Sequence, residues 1–97
     1  MESHHHIKLI DSTYTAEEAC EVLLSLLNDK IKFLKIKAHS IEERYSGDTT
    51  HLEQRIKELT ADRERIFNVL QDAREKGLEV ELVGLVNIEL KVPTEHV

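Results

Sequence analysis

The sequence holds one cysteine, one proline, three glycines, no tryptophan and four other aromatic residues in 97 positions. Each scarcity removes a class of function. Cys20 has no partner for an intramolecular disulfide, so nothing marks an oxidising compartment. It stands in a helical pattern with Ala19, Val22, Leu23 and Leu24, the setting of a buried structural thiol rather than a nucleophile. Tyr14, Phe33, Tyr45 and Phe67 are too few and too scattered to make a platform on which bases stack. The net charge is −6, and between residues 48 and 76 the basic side chains are mixed with Glu and Asp. A phosphate-neutralising surface needs them segregated, so no nucleic acid partner is expected.

No apolar run approaches the ~18–20 residues of a membrane span, and the start lacks the basic-then-apolar layout of a signal peptide. The expectation is a cytoplasmic protein without a membrane partner. There is no GxGxxG, no GxxxxGK[ST], no GxSxG, no HExxH and no CxxC. No reaction signature and no cofactor site are therefore read from this chain.

What is present is a strong amphipathic pattern. With 40% apolar and 33% charged residues, the chain is expected to form one globular domain over residues 1–97. Its order reads strand, helix, strand, helix, strand. Ile7 and Leu9 alternate with His6 and Lys8 in a strand over 5–12. Thr15 with Glu18 forms a capping box, after which Ala16, Ala19, Cys20, Leu23, Leu24 and Leu27 share a helix face up to a stop at Asn28-Asp29. Residues 30–39 read as a second strand whose phase shifts: Ile31 and Phe33 point one way, Leu34, Ile36 and Ala38 the other. A bulge, a strand apolar on both faces, or continuation of the first helix through Phe33 would each accommodate that shift. Ser40 with Glu43 suggests another capping turn in a connector closed by Gly47.

The second helix is expected over 48–76, unusually long at about 43 Å. Asp48 or Thr50 would cap its start and Gly77 its end. The clearest strand, 78–92, carries Leu78, Val80, Leu82, Val86, Ile88 and Leu90 on one face, with Val83 and Leu85 on the other. Lys30, Lys32, Lys35 and Lys37 complement Glu79, Glu81 and Glu89, which favours these two segments as neighbouring strands. The predicted architecture is thus α/β (or α+β): a single small βαβαβ domain with a three-stranded sheet and two helices, its strands parallel across right-handed crossovers.

Three places qualify as candidate sites. The connector follows the carboxyl end of the second predicted strand, where open α/β sheets bind ligands, and it offers His39, Glu43, Arg44 and Tyr45. His4 and His6 share a strand face about 7 Å apart, but no spacing supplies the further ligands a zinc site needs, so no metal is expected. The third is the seam of the long helix. Positions 52, 56, 59, 63, 66, 70 and 73 keep a four-three alternation broken only by Arg63. A compact chain of this size is roughly 32 Å across, so the helix should overhang it. Leu52, Ile56, Leu59 and Arg63 are then the expected contact with a partner. That partner is a second copy, most simply in a two-fold dimer, or another protein. The function read from the sequence is a non-enzymatic, self-associating module, with small-ligand binding at 39–48 as the alternative.

Overall fold

The computed structural model describes residues 3–45 and 47–93, the side chain of Tyr45 excepted. Its elements are β1 (His4–Tyr14), α1 (Ala16–Tyr45), α2 (Thr50–Glu75) and β2 (Val80–Glu89). β1 and β2 pair as a two-stranded antiparallel sheet. Residues 14–80 make one compact unit and the paired strands make the other.

This order is β-α-α-β, not the predicted βαβαβ with a three-stranded sheet. The second strand does not exist: residues 30–39 lie within α1, which at 30 residues is longer than the 26-residue α2. The cause is periodicity. Ile31, Leu34 and Ala38 are buried, and Ile41 packs against them, a spacing of three, four and three that only a helix places on one side. Asn28 and Asp29 do not stop the helix. Each costs under about 0.7 kcal/mol in a helix interior, whereas burying each leucine or isoleucine beyond them stabilises by about 1.5–3 kcal/mol. The four lysines thought to lie opposite Glu79, Glu81 and Glu89 are therefore helical, and the parallel crossover falls with them.

The termini of the helices follow their local chemistry. Thr15 and Glu18 form the capping box in both directions: the Thr15 amide donates to Glu18 Oε1 at 2.9 Å, and the Glu18 amide donates to Thr15 Oγ1 at 3.1 Å. α2 starts from Thr49 rather than Asp48 or Thr50. The Asp48 carboxylate accepts the Thr50 amide at 2.9 Å. Hydrogen bonds from the Thr50 hydroxyl and then its amide hold the Asp48 pKa below its ordinary 3.8. Gly77 ends α2 as expected. At φ +67° it occupies the left-handed region, with the Leu78 amide donating to Ala73 O at 2.9 Å and the Gly77 amide to Arg74 O at 3.2 Å.

α1 and α2 form an antiparallel hairpin. At its tip the Thr49 hydroxyl donates to Glu42 Oε1 at 2.9 Å, and Thr49 is buried. At its base Arg74 pairs with Glu17 at 3.2 Å. Between them Ile31, Leu34, Ala38, Leu52 and Leu59 form the core cluster, flanked by Leu27, Ile41 and Ile56. Nearer the base the buried residues are small, Ala16, Ala19 and Ala73, together with Leu70.

Candidate interaction surfaces

The residues of the predicted 39–48 site are strung along the end of α1. His39 Nε2 lies 3.2 Å from Glu43 Oε1, one helical turn away, and both side chains are about 70% exposed, at 72% and 68%. Arg44 is exposed in the last turn, where a cation complements the carboxyl end of the helix dipole. The side chain of Tyr45 lies outside the described residues. No strand end aims this segment at a ligand, because the strand that motivated the site is helix. All three are solvated, but only His39 and Glu43 share a helix face; Arg44, five residues from His39, is turned about 140° from it.

The seam residues are placed differently. Leu52 and Leu59 are each 6% exposed and sit in the core cluster; Ile56 is partly buried against it. Their contact is the α1 helix of the same chain, which leaves little of either leucine for another chain. Arg63 is half-buried, and its Nη1 donates to Asn28 Oδ1 at 2.6 Å. A neutral amide on α1, rather than a carboxylate, thus receives the one charge in the seam. On one flank of the hairpin the helices leave a groove of about 360 Å³, lined by Ala16, Cys20, Leu24, Phe67 and Leu70 with Glu17 and Arg74 at its rim. Cys20 is only partly buried there.

Among the described residues no three His, Cys, Asp or Glu side chains converge as a metal site. His6 and Asn87 face each other across the strands, Nδ1 to Oδ1 2.6 Å, the ring N–H donating. No helix of the described residues is long and apolar enough to cross a membrane.

The surface that sequence reasoning misplaced is the β-ribbon. Val83 and Leu85, read as part of the other face of the last strand, are each 63% exposed. Leu9, Leu90, Ile7 and Ile88 are also exposed. β2 therefore presents apolar side chains on both faces, and one of its edges has no strand beside it among the described residues. The signal was in the sequence: the run Leu82-Val83-Gly84-Leu85-Val86 does not alternate, which is the mark of a strand meant to be enclosed. No protein-family model matches this chain, nor does any curated protein or solved structure at a meaningful level of similarity.

Proposed function

We propose that this chain works as a self-associating structural or interaction module, a homodimer in its simplest form, and not as an enzyme. The observation that carries the reading is uncovered apolar surface. On the β-ribbon Val83 and Leu85 are each 63% exposed, and Leu9 and Leu90 are 57% and 58% exposed. A standard interface covers about 800 Å² per partner, and obligate dimers cover more. Such an interface needs an apolar centre, and these side chains supply one. An isolated two-stranded ribbon is marginal in water, and one with apolar residues on both faces gains most from added cover.

Ligand binding at His39, Glu43, Arg44 and Tyr45 has less support, since the described side chains of that set are solvated and converge on nothing. Sedimentation velocity from 1 to 100 µM tests the reading. A mass near twice 11.2 kDa is expected; an 11.2 kDa species throughout would overturn it.

A further inference from the structure

The self-association reading leaves open which surface meets the second copy, and the inference here rests on that reading. We propose that the open edge of β2 pairs with β2 of a second copy across a two-fold axis. The result is a four-stranded antiparallel sheet in the order β1-β2-β2-β1.

Three observations converge on this edge. The first is the character of the strand. Central strands are apolar on both faces, and edge strands are blunted by lysine, proline or alternating polar residues. β1 reads as an edge, with His4, His5, His6, Lys8 and Asp11 along it. β2 reads as a central strand, with no lysine and no proline between Val80 and Glu89. Yet in a two-stranded ribbon it is an edge. A neighbour on its far side makes its position agree with its sequence.

The second is register. A two-fold axis perpendicular to the sheet pairs residues symmetrically about one central position. Centred on Leu85, the pairing sets Glu81 opposite Glu89 of the second copy; centred on Gly84, it sets Glu79 opposite Glu89. Both juxtapose like charges, which destabilises a sheet. Centred on Val86, with the pairing continued two residues past the end of β2 at Glu89, Glu81 meets Lys91 of the second copy, twice by symmetry, and no like charges meet. On the other face Leu82 then meets Leu90, and Val80 meets Val92. Among centres from 84 to 87, only Val86 gives an opposite-charge pair without a like-charge pair.

The third is the direction of the backbone. The Leu90 amide donates to Ser3 O at 2.8 Å, toward β1. Alternate residues of a strand turn their amides to the same side. Leu90 lies one residue past the end of β2, and regular alternation back from it turns the amides of Val83, Leu85 and Asn87 to the open edge, where a second β2 would take them up.

The experiment follows from this geometry. Val83→Pro removes one outward amide and leaves the ladder to β1 intact, since proline is tolerated where the amide faces away from the neighbour. Sedimentation should show it monomeric, with the helical circular dichroism of the parent retained. Glu81→Lys and Lys91→Glu each create two like-charge contacts and should raise the dimer Kd about tenfold at low salt. The double variant should restore the parent Kd. That rescue keeps the test decisive even if Val83→Pro fails to fold. If the parent dimerises while the folded proline variant and both charge variants dimerise equally well, the edge is overturned and self-association stands. A parent that stays monomeric overturns both.

Discussion

Truncating Leu59 to alanine removes three carbon atoms from the middle of the helical hairpin. Leu59 is 6% exposed and packed in the cluster with Ile31, Leu34, Ala38 and Leu52. At ~0.8 kcal/mol per buried carbon the transfer contribution is about 2.4 kcal/mol. The space left by the side chain adds to it because two helices joined at tip and base close only partly. The total should be about 3 kcal/mol, within the range of buried leucine truncations. Against a whole-domain stability of about 5–15 kcal/mol that is a large fraction. It corresponds to a fall in Tm of about 12–24 °C. The assay is urea unfolding followed by helical circular dichroism, run at two protein concentrations tenfold apart. Because Leu59 packs on α1 of its own chain, the free-energy loss should be the same at both concentrations and the dimer Kd should not move. A loss below about 1 kcal/mol would refute this reasoning. So would a large rise in Kd with little change in fold stability, which would put Leu59 on a surface shared between copies.

Other substitutions read other parts of the account. Arg63→Leu gives up a half-exposed hydrogen bond to Asn28 worth about 1 kcal/mol and gains apolar contact in the seam between Leu59 and Ile66. Its Tm should be unchanged or higher, and a drop beyond about 8 °C in a thermal melt would expose a network around Arg63 that the hairpin does not explain. Gly77→Ala meets no steric obstacle, but at φ +67° it should cost about 1 kcal/mol, seen as a Tm lower by about 4–8 °C. An unchanged melt would mean that α2 does not end in the left-handed turn. Asp48 has a folded pKa below its ordinary 3.8, so its contribution is present above that value and lost as pH falls through the folded pKa. The stability gap between the parent and Asp48→Ala should therefore be constant from pH 7 to 5 and shrink below pH 4; a gap that persists at pH 2 argues against ionisation as its source.

The sequence carried the ends of this fold better than its middle. The reciprocal bonds of Thr15 with Glu18, the left-handed Gly77 and the first strand were all readable because each depends on neighbours in the chain. Residues 30–39 were not. Phe33 and Ile36 are 58% and 59% exposed, and their apolar character produced a strand-like alternation over a segment whose buried residues keep helical spacing. Phenylalanine and isoleucine favour strands locally. Packing of Ile31, Leu34 and Ala38 on α2 overrides that preference. The 39–48 site depended on the missing strand, so its His39, Glu43 and Arg44 lost their setting. The long seam was visible, but its partner lay in the same chain, an outcome a period of 3.5 cannot distinguish from a partner in another. The apolar run in β2 was visible too. That it stands uncovered depends on the absence of the strand predicted over 30–39, which the three-dimensional fold shows to be helix.

Amide hydrogen exchange in β2, read residue by residue by NMR at two concentrations, tests the central claim most directly. By regular alternation from Leu90, the amides of Leu82, Gly84, Val86 and Ile88 face β1 and should be protected at any concentration at which the ribbon is folded. Those of Val83, Leu85 and Asn87 should be protected at high concentration and lose that protection on dilution through the dimer Kd. If these three exchange like unstructured peptide at every concentration while their neighbours stay protected, the open edge of β2 has no partner and the account of this protein as a strand-paired dimer is wrong.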